Sequence, residues 1–438
     1  MSNLRNHAQM ILHRALAAVD PAALFRANVR VEGTKLHICD LSLDLSALGK
    51  IVVIGTGKGT APMAQAAEEI LGDRITAGAI TVKYGHGLPL KTIRVIEAGH
   101  PVIDQAGLDG TAEILDLLRD LREDDLVLAL ITGGGSALLE LPAEGITLKD
   151  LQATTKALLA CGAEIAEINA LRKHLSRVKG GQLLRAASPA RVVSLVVSDV
   201  IGDPPEAISS GPTAPDPTTF AQVRGIIEKY HLRDQLPASV IAHLDRGVRG
   251  EIPDTPQPGD PLFDRSALRI IGSNRILLEA AREAAQELGY GTLILTDRLR
   301  GEARDRGRQL AALLKQVRAA SDHPVCLLAG GEPTVTFTSA GKGGRNQELA
   351  LAAALELDGA AGCLLLSAGS DGTDGPTDAA GAWADGSTAA RARDHGFDPR
   401  GHLDRHDAYP LFAAVDGLIV TGPTRTNVMD LVVMLGGK

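Results

Sequence analysis

Aromatic residues are scarce in this chain. They make up 3% of its 438 positions, with a single tryptophan, so the core has to be packed from Ala, Leu, Ile and Val. That suits an α/β protein with many small-residue contacts between helices and sheet. Cysteine is also rare: Cys39, Cys161, Cys326 and Cys363 are scattered and mostly neighbour apolar residues. Their spacing fits neither a disulfide scaffold nor a metal site, and points to free thiols in a reducing, cytoplasmic compartment. The histidines form no H-x2-H or H-E-x-x-H metal pattern. No apolar run approaches the roughly 18–20 residues of a membrane span, so no membrane partner is expected. The opening MSNLRNHAQMILHRAL lacks the long apolar core and small-residue cleavage site of a secretory signal, and reads as an amphipathic helix. Basic charge is not in excess, since 53 acidic against 45 basic residues give a formal net charge of -8. With no basic tract interleaved with aromatics, nucleic acid is not an expected partner.

Glycine, by contrast, is plentiful and placed. Five glycine-rich stretches stand at expected strand ends or in loops: GTGKGT around Lys58, GGGS at Gly133–Ser136, SGPTAPDP, GGRNQE with Arg345, and SAGSDGTDGPTDAAG. Glycine lets a backbone approach a ligand closely or take a positive φ, and successive N–H groups near a helix start make an anion-binding concavity. Lysine, arginine and aspartates set among such turns point to a polyphosphate and to phosphoryl transfer.

At 438 residues the chain calls for two or three domains. Strands expected at Ile51–Ile54, Gly78–Lys83, Ile93–Glu97, Leu126–Ile131 and Val192–Ser198 alternate with helical patterns, which predicts a mostly parallel sheet covered on both faces. The stretch from Asp234 to Asp264, with VRGEIPDTPQPGDPLFD, is the best linker candidate. A second α/β block starts near Leu268, with strands expected at Thr292–Thr296, Pro324–Ala329, Thr334–Phe337, Gly362–Ser367 and Gly417–Thr421, then a short C-terminal helix. A site between the two blocks would suit a ligand held across them.

Lys58 follows a strand and precedes a helix, but the spacing is not that of a P-loop. Gly55, Gly57 and Gly59 allow close approach, although the third position of a dinucleotide fingerprint falls on Thr60 and the second strand ends near Lys83 rather than an acidic residue. Gly133, Gly134 and Gly135 form a second such loop, with Ser136 read as a helix N-cap rather than a nucleophile, since no G-x-S-x-G elbow surrounds it. Arg345 at a helix start is unfavourable against the dipole unless an anion is near, which favours a functional role. Asp199, Asp371 and Asp374, with Asp203 and Asp378 beside them, are candidate Mg²⁺ carboxylates. Their Asp-Gly pairs equally make turns. Arg304, Glu332 and Asn427 stand at further loop–helix junctions; Glu332 and Asn427, with Ser136 and the glycines of the two loops, are candidate cofactor-binding residues, while His86 and His100 read as loop residues.

Taken together, GTGKG with Lys58, Gly133–Ser136, SDVIGD, the Ser209–Asp216 segment, GGRNQE and SAGSDGTDGPTDAAG closely resemble the glycerate 2-kinase family over nearly the whole length. That family also contains proteins labelled as hydroxypyruvate reductases. The resemblance implies a Rossmann-like N-terminal domain, a smaller α/β C-terminal domain, and an active site in the cleft between them. The corresponding boundaries are 1–245, a linker at 246–265, and 266–438. It implies transfer of phosphate from ATP to the 2-hydroxyl of glycerate with Mg²⁺, and leaves room for a homodimer. Lys58 and Arg345 fall on the family's principal catalytic positions. GPTRTNVMD carries Arg425 and Met429 where a glycine and an asparagine are expected, so nucleotide or substrate preference would differ while the reaction class need not. The rival reading is an NAD(P)H-dependent hydroxypyruvate reductase.

Overall fold

A computed structural model describes residues 2–337, 339 and 341–437. The chain divides into two compact units. The larger comprises Leu24–Ser198 and Asp203–Ile271; the smaller comprises the stretch ending at Ala23, Asp199–Gly202, and the stretch from Gly272 onward. Among the described residues, no helix is long and apolar enough to cross a membrane.

The larger unit opens with an antiparallel meander of β1 (Val29–Glu32), β2 (Lys35–Ile38) and β3 (Leu41–Asp44), which the sequence reading does not anticipate. Its main sheet contains β4 (Ile51–Thr56), β5 (Ile75–Lys83), β6 (Ile93–Ala98), β7 (Leu126–Ile131), β8 (Arg191–Val197) and β9 (Ser266–Gly272). The order is β6-β5-β4-β7-β8-β9, and β6 through β8 pair in parallel. Every residue of β4 and β7 is buried. Central parallel strands covered on both faces require such continuous apolar runs. The chain order reverses between β4 and β7, so this sheet has its topological switch point there.

Beside the sheet, helices Leu148–Ala160, Ile165–His174, Phe220–Lys229 and Ala238–Val248 share a second core, with Leu158, Leu171, Val223 and Val240 among its buried members. Three of these helices start with reciprocal capping boxes: Thr147 with Asp150, Glu164 with Glu167, and Thr219 with Gln222. Each box satisfies amide donors that the first helical turn leaves open. Residues 246–265 lie within this unit. Pro256 accepts a bond from the Asp216 amide at 2.8 Å, and Thr255 donates to the Asp216 carboxylate at 3.0 Å.

In the smaller unit, helix Ser2–Ala18 packs on helix Asn274–Glu287. The sheet comprises β10 (Gly291–Leu299), β11 (Val325–Gly331), β12 (Cys363–Gly369), β13 (Gly381–Asp385), β14 (Leu418–Ile419) and β15 (Asp430–Gly436), ordered β10-β11-β15-β12-β13-β14. Only β10 and β11 pair in parallel; β15 lies antiparallel to both β11 and β12. The expected C-terminal helix is therefore a strand. Its apolar run, DLVVMLG, is buried at every position, and a central strand explains that where a one-sided helix would not. The expected strand at Thr334–Phe337 is reduced to an isolated bridge between Thr334 and Glu302. Thr336 instead bonds the Glu302 carboxylate through its hydroxyl (2.6 Å) and amide (3.2 Å).

Candidate active site

In the larger unit, the two predicted glycine loops leave adjacent strands at the switch point: GTGKGT follows β4 and GGGS follows β7. Ligands gather at this place in open parallel sheets. The loops are stitched together, because the Lys58 amide donates to Gly133 O (2.9 Å) and the Gly59 amide to Thr132 Oγ1 (2.9 Å). Gly57 has φ +123°, and a β-carbon there would lie 2.2 Å from Thr132 Oγ1. Only glycine lets the two loops come this close.

This stitching changes the reading of the cradle. The amides of Gly57, Lys58 and Gly59 all donate within the protein, whereas those of Gly133 and Gly134 find no acceptor among the described residues. The amides left open thus belong to the second loop, beside the Lys58 stem. Ser136 does not cap a helix. Gly134, at φ +87°, holds the N-cap position of the single turn Gly135–Leu138, and the Ser136 hydroxyl bonds Ser210 Oγ at 2.7 Å. Ser209 donates to Thr132 O at 3.1 Å, and both serines take a left-handed backbone (φ 51° and 62°). Gly55 is buried under Thr60 and Leu130, with no room for a side chain.

His100, in the loop after β6, lies against the second glycine loop. Its Nε2 lies 3.1 Å, and Lys58 Cγ 3.4 Å, from where a β-carbon on Gly134 would stand. The imidazole and the lysine stem thus share one face of the second loop. His86 Nδ1 is 3.1 Å from Lys58 O. No short sequence spacing signals either contact.

In the smaller unit, Arg345 is the first residue of helix Arg345–Glu356. Its Nε and Nη2 donate to the two oxygens of Asp430 (2.6 and 2.9 Å), and Nη1 lies 2.8 Å from Glu332 Oε1. The anions that this placement calls for are supplied by the chain itself. Burial opposes the guanidinium charge, but Asp430 and then Glu332 outweigh it and raise Arg345 above its ordinary value. Asp430, 1% exposed at the start of β15, escaped the sequence reading. Its signal was a lone acid directly before an apolar run.

The candidate metal carboxylates part company. Asp374 is buried and caps the Arg345 helix, accepting the amides of Asn346 (3.0 Å) and Gln347 (2.9 Å). Burial pushes its carboxyl up to about 6, partly offset by those amides. Asp371 accepts from the Thr373 amide (3.1 Å) and hydroxyl (3.0 Å). The Asp371 and Asp430 carboxylates flank Gly369, at 3.4 and 3.5 Å from its notional β-carbon. Asp378 is exposed and accepts from Tyr409 at 2.7 Å, and Asp203 belongs to the larger unit. Asp199 meets Asn427, whose Nδ2 is 3.4 Å from Asp199 Oδ2. Among the described residues, no group of three His, Cys, Asp or Glu side chains is arranged to hold a metal. Asp199 and Asp371 are carboxylate oxygen donors of the type a Mg²⁺ ion takes one or two of, completing its shell with phosphates and water. Asp374 is already committed to its helix.

Arg304 joins a different cluster, donating to Glu348 at 2.9 Å while His406 Nδ1 lies 2.8 Å from the other Glu348 oxygen. Arg425 and Met429 both have left-handed backbones, φ 60° and 69°. That is why a glycine and an asparagine would suit these positions.

Fold and site together define an α/β enzyme class in which glycine loops at a parallel-sheet switch point present a lysine, and a mixed-sheet unit presents an acid-held arginine. Residues 7–245 match a family described as a domain of unknown function, DUF4147, and residues 325–430 match the MOFRL family. A glycerate 2-kinase from Pyrococcus horikoshii is 42% identical over 99% of this chain and 97% of its own. A protein from Agrobacterium vitis, provisionally named a hydroxypyruvate reductase, is 45% identical over 89% of this chain and 100% of its own. The crystal structure of a glycerate kinase from Thermotoga maritima superposes with a TM-score of 0.89 at 39% identity, covering 100% of both chains. The chain belongs to the glycerate 2-kinase family.

Proposed function

We propose that the chain transfers the γ-phosphoryl group of ATP to the 2-hydroxyl of glycerate, giving 2-phosphoglycerate and ADP. The observation that carries this reading is the pair of stitched glycine loops at the switch point, with Lys58 over the second. The hydroxyl oxygen of glycerate forms the new P–O bond in line as the bond to the β–γ bridging oxygen breaks, and the hydroxyl proton passes to solvent. Such transfer depends on positioning and charge compensation more than on a strong base. Lys58 offsets charge on the phosphoryl oxygens, and the amides of Gly133 and Gly134 orient the phosphates. Arg345, held by Asp430 and Glu332, is the second cation assigned to charge compensation. Mg²⁺ held through Asp199 and Asp371 would neutralise charge on the β- and γ-phosphates. The acceptance of glycerate over other hydroxy acids, and a cytoplasmic setting, belong to the same proposal.

The test is product analysis by phosphorus NMR with ATP and D- or L-glycerate supplied separately, alongside NADH and NADPH absorbance with hydroxypyruvate. A phosphate ester at the 2-position is the expected product. Cofactor oxidation without any ester would overturn the kinase reading.

A further inference from the structure

A cavity of about 700 Å³ opens in the larger unit, and no residue of the GTGKGT or GGGS loops lines it. It lies where the helical layer meets the segment leading to helix Gln182–Ala187, with Phe220 and Thr255 in its wall. Arg177, Arg185 and Arg246 line it together with Glu144, while Glu251 lies against Arg246, Asp254 against His174, and Asp260 acts on Arg185. A concentration of cations in a concave site, on a chain of net charge -8, marks a place where anions are drawn in.

The three arginines differ in what the chain already sets against them. Arg177 is exposed, and its guanidinium has no partner among the described residues. Arg185 donates to two neutral acceptors, Gln182 Oε1 (2.7 Å) and Asp254 O (3.1 Å). Arg246 is half exposed and lies 3.5 Å from Glu251. The wall behind them contains buried, hydrogen-bonded polar groups. His174 is 3% exposed and its Nδ1 sits 2.9 Å from Ala170 O, while its Nε2 has no hydrogen bond and stands 3.6 Å from Asp254. Asp216, fully buried, accepts from Thr218 Oγ1 (2.7 Å), Thr255 Oγ1 (3.0 Å) and Lys173 (3.3 Å). This locks the SSGPTAPD segment to the cavity margin.

We propose that this cavity is a second binding site, for a small organic polyanion carrying at least two phosphate or carboxylate groups. The volume falls within the roughly 300–1,000 Å³ of ordinary small-molecule sites and is generous for a single phosphate. Guanidinium groups on three separate segments suit anionic groups spread over one molecule.

Isothermal titration of the full chain with inorganic pyrophosphate and, separately, citrate tests this and distinguishes phosphate from carboxylate recognition. At least one probe should saturate the chain, and should still do so in Lys58→Ala. Its Kd should weaken by about tenfold or more in Arg177→Glu, a change of about 1.4 kcal/mol, and also in Arg246→Glu. Both positions are solvent-facing, so unchanged melting curves will confirm that the fold survives. The proposal is overturned if neither probe saturates, if both arginine variants bind as the native chain does, or if Lys58→Ala alone abolishes binding.

Discussion

Lys58 and Arg345 each follow a glycine beside a helix start, Gly57 ahead of helix Thr60–Leu71 and Gly344 ahead of helix Arg345–Glu356, yet the chain equips them in opposite ways. Around Lys58 the machinery is backbone: Gly57, Gly59 and Gly134 bring two loops together, and hydroxyls of Thr132, Ser209 and Ser210 tie them. Around Arg345 it is carboxylate, with Asp430 and Glu332 on the guanidinium and Asp374 on the helix amides. The first arrangement leaves the amides of Gly133 and Gly134 without an acceptor among the described residues. In the second, the arginine is a fixed cation whose removal strands a buried acid.

Breaking this comparison should separate chemistry from stability. Lys58→Ala should lower kcat by about 10²- to 10³-fold with little change in melting temperature; full activity would remove Lys58 from the reaction. Arg345→Ala should also cost turnover. In addition it should lose about 3 kcal/mol in urea unfolding, because it leaves Asp430 buried and uncompensated. The low end of that range applies because the arginine is 33% exposed.

Asp374 sharpens the contrast through pH. Its carboxyl is raised from 3.8 to about 6 in the fold, so the folded chain binds this proton more tightly than the unfolded chain does. The resulting stabilisation is complete below about pH 4 and is lost as pH rises through about 6, a change of about 1–3 kcal/mol. Urea midpoints measured from pH 4 to 7 should show that decline in the native chain and a flatter profile in Asp374→Asn. The smallest effect belongs to Arg425→Gly, which should gain up to about 1 kcal/mol by relieving a left-handed backbone at an exposed position. A drop in melting temperature would contradict this.

What could be read in advance follows the range of each interaction. Strand Leu126–Ile131 falls where its apolar run lies, and GTGKGT and GGGS follow their strands, because strand, turn and helix start are contiguous in the chain. The bond of Ser136 to Ser210 spans 74 residues and leaves no local signal. The run after Asp430 looked helical because a fully buried strand carries no periodicity.

The sequence by itself determined the alternation of strands and helices, the glycine turns and the family, since each rests on neighbouring residues. Tertiary structure alone decided that β4 and β7 lie side by side at the switch point, that β15 enters antiparallel between β11 and β12, and that Asp430 holds Arg345 while Asp374 caps its helix. Those outcomes depend on which buried charges and open amides find partners once distant segments meet. Such satisfaction is imposed by removal from water, and local propensity carries no record of it.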